Sequence, residues 1–266
     1  MDAFGVYGSA GDLALLLGLS ATRVAVALLL IPLFTAELIP PTVRNAICLS
    51  IALLGLVVQP LVGPAKASAG LWLSMFAKEA LIGCATGLLF AGVMWAFESA
   101  GQVIDAKIGM MVGQVTDPLT GQQISLHGAF LGRLASYVFM AGGGFMVLVG
   151  TLMQTYAAWP VWAPLPALAA GGVRLFESEL GRIMGLTLLV AAPAVVVLYL
   201  IESVLGLINR FAQQLNVFSL AASLKGFIAT WIILIQIVPL VRLLQDDLLA
   251  RGSTVIRMLH AVFRGG

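Results

Sequence analysis

The chain has 266 residues, of which 61% are hydrophobic and 10% are charged, with a formal net charge of +2. Soluble domains carry about 25% charged residues, so this composition excludes a water-soluble protein and predicts an integral membrane protein. The small net charge gives no indication of nucleic-acid binding. Cys48 and Cys84 lie inside apolar runs, which favours free packing residues over a disulfide.

Apolar runs follow one another along the chain, each near the roughly 20 residues that a helix needs to cross a bilayer. Backbone groups in lipid must bond internally, and the runs lack the alternation of barrel strands, so the fold is predicted to be all-α. A mixed segment over 154–182 and an amphipathic tail over 245–266 are expected outside the membrane helices. About six helices are predicted, over 13–34, 45–61, 71–97, 130–153, 183–205 and 226–244.

The stretch 98–128 interrupts these runs and contains a concentration of polar residues. Its first arm holds Glu98, Asp105 and a methionine pair, Met110 and Met111, between glycines. Methionine fills irregular gaps, so the pair is either ordinary core packing or a soft seal in a pore. Glycines at 101, 109 and 113 are expected to let backbones approach closely.

A tight turn is predicted in the middle of this stretch. Asp117 and Pro118 occupy the first two positions of a typical type I turn, and Gly121 can adopt positive φ just after it. Ser125 is a suitable N-cap for a helix that begins near His127. The stretch is therefore predicted to consist of two arms that meet at a turn.

Six charged residues lie within or at the rims of the apolar runs. A charge at mid-bilayer costs at least about 2.5 kcal/mol, so these side chains are expected to face a protein interior or a watery cavity. They serve either as interhelical pairs or as a conduction path. Adjacent residues do not share a helix face, so Lys78 and Glu79 are predicted to pair with other helices or another subunit, which indicates an oligomer. The six are Arg23, Lys78, Glu79, Glu98, Arg133 and Glu202.

The sequence offers little for catalysis or metal binding. His127 is expected to have no paired acid or metal-ligating partner, and His260 is far away in the tail. There is no nucleophile–base pair and no phosphate-binding loop, so neither an enzyme nor a cofactor is predicted. The glycines at 142–144 are interpreted as sites of tight helix contact.

Several residues together resemble the central signature of the FliR/SctT family of the type III secretion export apparatus. The signature comprises Gln102, Gly109, Asp117-Pro118-Leu119, Gly121 and Gln122, followed by an apolar helix. With Tyr156 and Trp159-Pro160-Val161 downstream, the chain is more similar to the injectisome branch (SctT, YscT, SpaR, HrcT) than to the flagellar one. A second similarity covers 188–240, which looks like the two-helix export protein FliQ/SctS.

The resemblance implies a fold of bent helical hairpins in three parts. Residues 1–182 would be SctR/FliP-like and contain a central plug stretch, 98–128. Residues 183–250 would form an SctS/FliQ-like hairpin, and residues 251–266 a basic amphipathic tail. Leu224 stands before Lys225 where FliQ-type proteins usually have proline, which is a local departure from that pattern.

The resemblance also implies a function: a non-enzymatic core subunit of an export gate in the bacterial inner membrane, in a complex displaced partly toward the periplasm. It would form a pore for unfolded secreted proteins with SctR/FliP-type and SctS/FliQ-type subunits, next to an SctU/FlhB-type switch protein and needle-base or inner-rod components. The implied plug is Gly109, Met110, Met111, Val112, Gly113 and Gln114, anchored by Asp117, Pro118, Gly121 and Gln122; the implied cytoplasmic entrance is Arg210, Gln213, Gln214 and Lys225.

An alternative function is a proton-coupled or solute transporter. It would use the acids Glu79, Glu98, Asp105 and Glu202. Transporters of this size often contain inverted repeats, and the two halves of this chain show no convincing repeat. A membrane-embedded enzyme is a third alternative, which the lack of a catalytic cluster disfavours.

Overall fold

The structure is a computed structural model, and it describes residues 10–35, 38–58, 69–109, 115–116, 123–163, 167–168, 172–211 and 217–264. Seven α-helices account for nearly all of these residues: α1 (Ala10–Leu30), α2 (Pro41–Val58), α3 (Ala69–Ile108), α4 (Leu126–Ala141), α5 (Gly144–Ala158), α6 (Gly172–Phe211) and α7 (Val217–Val262). A 3-10 turn, Pro32–Phe34, follows α1.

Two very short antiparallel ladders accompany the helices. In the first, β1 (Val115–Thr116) pairs with β2 (Gln123–Ile124). In the second, β3 (Ala167–Leu168) pairs with β4 (Phe263–Arg264). Each ladder is two residues long and joins chain segments next to helix ends.

The prediction of an all-α membrane protein is confirmed, but the number of spans differs from six. Among the described residues, four helices are long and apolar enough to cross a membrane: Pro41–Val58, Gly70–Ile108, Arg174–Phe211 and Ala221–Leu248. A fifth span results if α4 and α5 count together. The apolar run 130–153 is divided between these two helices, which explains part of the difference.

The break between α4 and α5 occurs at Gly143, whose φ is +79°. This left-handed backbone is one that glycine adopts without steric cost. A Cβ on Gly143 would meet nothing within 4 Å. The prediction that these glycines provide tight helix contact is therefore wrong at Gly143, which ends one helix and begins the next.

The described helices belong to two compact units. The first comprises 1–92, 140–179 and 248–266, and the second comprises 93–139 and 180–247. The helix α7 continues unbroken to Val262, so the predicted tail is mostly the end of this helix.

The first unit is built on close contact of α1 with its neighbours. A Cβ on Gly83 would fall on the carbonyl group of Arg23, and one on Gly87 would lie 2.8 Å from the carbonyl oxygen of Ala27. These absent side chains let α3 lie directly against α1. On the other side, the Ser20 hydroxyl donates to the carbonyl of Ala52 in α2 at 2.9 Å.

In the second unit, the end of α3 packs against the beginning of α4. A Cβ on Gly101 would collide with the backbone of His127 and Gly128. The predicted close approach at Gly101 is thus confirmed. Gly109, with φ +84°, ends α3; a Cβ there would meet nothing within 4 Å, so the predicted close approach is wrong at Gly109.

Candidate functional site

A buried cluster of charges lies in the first unit. Arg23 donates to Glu79 twice, from Nε at 2.6 Å and from Nη2 at 2.9 Å. Its remaining contacts are the hydroxyl of Thr155 at 3.1 Å and the carbonyl of Trp159 at 2.8 Å, and its guanidinium lies 4.2 Å from the centre of the Tyr156 ring. Arg23 is fully buried, and these contacts satisfy the charge within this chain.

Lys78 extends the cluster to the loop after α5. Its Nζ donates to the carbonyls of Pro160, Val161 and Ala163 at 2.7 to 2.9 Å, and it also lies 3.1 Å from Oε1 of Glu79. The prediction that adjacent Lys78 and Glu79 do not neutralise each other is therefore wrong, because both side chains curl toward the same buried site. Their partners lie in this chain, so they give no indication of an oligomer.

A second polar cluster joins α3, α4 and α7 in the second unit. Asp105 Oδ2 accepts from the Ser125 hydroxyl at 2.6 Å and from the backbone amide of His127 at 2.9 Å. Asp105 Oδ1 forms a very short contact with Nδ1 of His127. On the far side of the imidazole ring, Nε2 lies 3.0 Å from the hydroxyl oxygen of Thr230 in α7.

These contacts correct one prediction and confirm another. His127 was expected to have no paired acid, but Asp105, 22 residues earlier, is its partner. The signal that could have found this pair is the start of α4: a carboxylate near exposed helix N–H groups is stabilised there. The predicted cap is confirmed, since the amide of Gly128 donates to the hydroxyl oxygen of Ser125 at 3.0 Å.

A third charged group lies in the same unit, around Glu202. Lys107 at the end of α3 approaches Glu202 of α6 to 2.5 Å, and Lys225 of α7 lies 3.6 Å from the same carboxylate. Lys107 also lies 3.6 Å from the centre of the Tyr199 ring. One acid thus holds two lysines from two other helices.

The last two intramembrane charges predicted from the sequence are placed differently. Glu98 receives a long contact of 3.4 Å from the amide of Gln102 and lies against Gly132. Arg133 is exposed. The part of the chain that the structure describes contains no group of three or more His, Cys, Asp or Glu that could hold a metal, and Cys48 and Cys84 are free thiols.

Most of the predicted plug and its anchor lie outside the described residues. Of these ten positions, only Gly109 is described, as the residue that ends α3. Of the predicted entrance, Arg210 is exposed near the end of α6, Lys225 is paired with Glu202, and Gln213 and Gln214 are not among the described residues.

Two ion pairs between α6 and α7 were missed from the sequence. Arg251 donates to Glu179 at 2.6 Å, and Arg182 donates to Asp247 at 2.5 Å. In each helix an acid precedes a base by three or four residues: positions 179 and 182 in α6, and positions 247 and 251 in α7. This spacing is the signal for two antiparallel helices that pair their charges.

Known proteins resemble this chain over most of its length. A family model described as Bacterial export proteins, family 1, matches residues 14–250. The chain is 33% identical over 161 residues to the Yop proteins translocation protein T of Yersinia pestis, which covers 60% of this chain and 62% of the relative. This alignment thus spans less than two thirds of the relative's length.

Two further relatives are a surface presentation of antigens protein and a flagellar biosynthetic protein. The chain is 28% identical over 232 residues to the surface presentation of antigens protein SpaR of Salmonella typhimurium, covering 87% of this chain and 85% of the relative. It is 29% identical over 149 residues to the flagellar biosynthetic protein FliR of Bacillus subtilis, covering 56% of this chain and 58% of the relative.

These matches confirm the FliR/SctT resemblance drawn from the signature residues. They also confirm the prediction that the chain is not an enzyme, since the family consists of export proteins. The matched region begins within α1 and ends within α7. It therefore includes every residue of the polar clusters and ion pairs described above except Arg251. The chain therefore belongs to the Bacterial export proteins, family 1.

Proposed function

We propose that the chain is a core subunit of a type III protein export gate in the bacterial inner membrane. Its family membership supports this, as do relatives whose names denote translocation and flagellar biosynthesis. Four or five apolar helices supply the membrane anchor. Together with SctR/FliP-type and SctS/FliQ-type subunits, the chain forms a pore through which unfolded secreted proteins pass.

The observation that carries the proposal is the close contact between the end of α3 and the beginning of α4. Gly101 brings the two helices into backbone contact, and Asp105 binds both Ser125 and His127. The ladder of β1 with β2 joins the two arms further out. Residues 109–125 thus depart from and return to one place, as is suitable for an insert that fills a pore.

Within this insert, the closure itself is proposed to lie at 109–114. Its two methionines adapt to an irregular opening, and Gly109, with φ +84°, lets the chain turn away from α3 where the closure begins. The turn at Asp117 and Pro118, with Gly121 and Gln122, is proposed to anchor the closure.

The remaining assignments follow the family likeness. We propose an SctR/FliP-like part over 1–182, an SctS/FliQ-like hairpin over 183–250 and a basic end over 251–266. Arg210, Gln213, Gln214 and Lys225 are proposed to border the cytoplasmic entrance. An SctU/FlhB-type switch protein and needle-base or inner-rod components are the proposed neighbours of a complex displaced toward the periplasm.

The transporter alternative is less well supported by the geometry. Glu79 is fully buried between Arg23 and Lys78, Asp105 is engaged by Ser125 and His127, and Glu202 by two lysines. A carrier of protons or solute needs acids that are accessible to its cargo, and three of the four acids are engaged by other residues. The side chain of Glu202 nevertheless keeps 48% of its surface exposed, and Glu98 has the long contact with Gln102.

Deletion of 108–114 tests the proposal. The deletion variant is assembled with SctR-type and SctS-type subunits, and the ion or dye leak of the membrane is measured per assembled complex. The leak is expected to rise, while Glu177→Gln, a change at an exposed residue of α6, leaves it unchanged. An unchanged leak in a fully assembled deletion complex contradicts the plug.

A further inference from the structure

The contact between His127 and Thr230 links the second unit's α4 to α7. Thr230 belongs to the interior of α7, and its hydroxyl also lies 2.9 Å from the carbonyl oxygen of Gly226 one turn earlier. A threonine in a helix commonly donates to such a carbonyl. The hydroxyl has one hydrogen, so it either donates to Gly226 and accepts from Nε2 of His127 or donates to Nε2; in both arrangements its oxygen stays within hydrogen-bond distance of both groups.

His127 is the central member of a hydrogen-bonded chain that runs from Asp105 to Thr230. The Asp105 carboxylate is an acceptor, with the Ser125 hydroxyl and the His127 amide already donating to it. The imidazole Nδ1 faces the same carboxylate, so Nδ1 carries a proton. The orientation of the ring is fixed by Asp105, and its other nitrogen then points at Thr230.

Beside this contact lies a cleft of about 330 Å³. It is lined by His127, Thr230 and apolar residues of α4 and α7, among them Phe130 and Ile233. The His127–Thr230 bond crosses the polar side of an otherwise apolar cleft. Thr230 is exposed in this chain, so the bond contributes no more than one net hydrogen bond, and it favours one relative position of α4 and α7.

The end of α3 reaches α7 by two further contacts. A Cβ on Gly226 would lie 4.0 Å from Cγ2 of Ile108, and Lys107 shares Glu202 with Lys225. These contacts involve the end of α3 and do not involve α4. Among the described residues, the hydrogen bond between His127 and Thr230 is the only one that joins the beginning of α4 to α7.

We propose that His127 is a positioning residue through which α7 sets the place of both arms of the segment 109–125, with Asp105 and Thr230 as its partners. The inference rests on the proposed export function, in which that segment closes a pore. Because Asp105 binds both His127 and Ser125, a shift of α7 at Thr230 reaches both arms at once.

The test uses the assembled export complex and variants that change one hydroxyl. Thr230→Val keeps the branched shape but removes the bond to His127, whereas Thr230→Ser keeps the hydroxyl. Thr187→Val is the matched control, because the Thr187 hydroxyl donates at 3.0 Å to the Ile183 carbonyl within α6. The ion leak per assembled complex and hydrogen exchange over 123–130 are measured for each.

Thr230→Val is expected to raise both readouts about five-fold, the change that corresponds to one net hydrogen bond. His127→Gln removes the contact with Asp105 as well, so it is expected to raise both readouts at least as much, and adding Thr230→Val to it should add little, because the bond to Thr230 is already lost. Thr230→Ser and Thr187→Val should behave as the unaltered chain. The serine rescue separates a role of the hydroxyl from a role of side-chain volume.

The inference is overturned if Thr230→Val matches Thr187→Val in both leak and exchange. Exchange on the purified complex decides the matter even where a variant assembles in smaller amounts. Deletion of 108–114 separates the two hypotheses: if the deletion leaks and Thr230→Val does not, only the inference falls. If the deletion complex does not leak, the proposed plug falls, and with it the role assigned to His127.

Discussion

Arg23 and Glu79 form a two-pronged ion pair with N–O distances of 2.6 and 2.9 Å, and neither side chain has any exposed surface. They are 56 residues apart in sequence and join α1 to α3. A buried pair of this kind contributes little net stability compared with apolar residues, but loss of one partner leaves a charge without compensation.

Glu79→Gln is therefore expected to destabilise the first unit by about 3–5 kcal/mol. The measurement is thermal unfolding of the purified chain in detergent. Glu177→Gln, at an exposed position of α6, serves as the control and should change little. The double variant Arg23→Met, Glu79→Leu should recover most of the loss, and a double variant as unstable as Glu79→Gln would contradict this explanation.

Lys78→Met is expected to release the loop that follows α5. Its Nζ is the shared donor to three carbonyls at 160, 161 and 163, while Arg23 can still pair with Glu79. We expect faster hydrogen exchange and proteolysis over 159–163, with α4 unaffected. The ring of Trp162 lies 5.8 Å from that of Trp72, so a change in tryptophan fluorescence should accompany the release; an unchanged loop would argue against the three carbonyl contacts.

Gly101→Ala and Gly185→Ala are expected to have opposite effects. At Gly101 the added methyl would collide with the backbone at His127, and overpacking of this kind costs about 1–3 kcal/mol. At Gly185, inside α6, nothing lies within 4 Å, so alanine should stabilise the helix by about 0.5–1 kcal/mol. Thermal unfolding of the two variants side by side gives the sign of each effect.

The two ion pairs between α6 and α7 should differ in their importance. Glu179 and Arg251 are nearly buried, at 6% and 4% side-chain exposure, whereas Asp247 and Arg182 retain 20% and 31%. Glu179→Gln should therefore cost about 3–5 kcal/mol, and Asp247→Asn about 0.2–1 kcal/mol. Equal losses in denaturant unfolding would show that burial does not decide the difference.

Arg210→Glu tests the proposed entrance. Arg210 is exposed near the end of α6, and reversal of a charge that attracts a polypeptide slows capture by about ten-fold or more at low salt. Secretion is measured against Arg174→Glu, a reversal at an exposed arginine near the start of the same helix. Equal secretion by both variants would remove Arg210 from the entrance.

The sequence predicted the class of the fold because composition alone decides whether a chain can cover itself with polar residues. It did not predict the helix lengths, because the predicted helices were ended where the apolar runs meet charged residues, whereas the real helices continue past those residues. The helix α6 begins at Gly172 and α7 reaches Val262. These polar ends stay helical because Glu179 pairs with Arg251 and Arg182 with Asp247.

At the candidate site, the sequence predicted the helix cap correctly but not the pairing of charged residues between helices. Ser125 was identified as a cap because capping depends on neighbours in sequence. The pairing of Asp105 with His127, and of Arg23 with Glu79, depends on which helices meet. No spacing rule within one helix contains that information, so His127 and Thr230 were missed.

The burial of Arg23 also has a consequence for synthesis in the membrane. The helix α1 is made before α3, and its arginine would cost at least about 2.5 kcal/mol if it faced the middle of a bilayer without a partner. Its neutralising partner, Glu79, is made 56 residues later. Stable placement of α1 is therefore coupled to the arrival of α3, and the arginine-bearing helix is buried as part of a charge-paired unit with α3 rather than on its own.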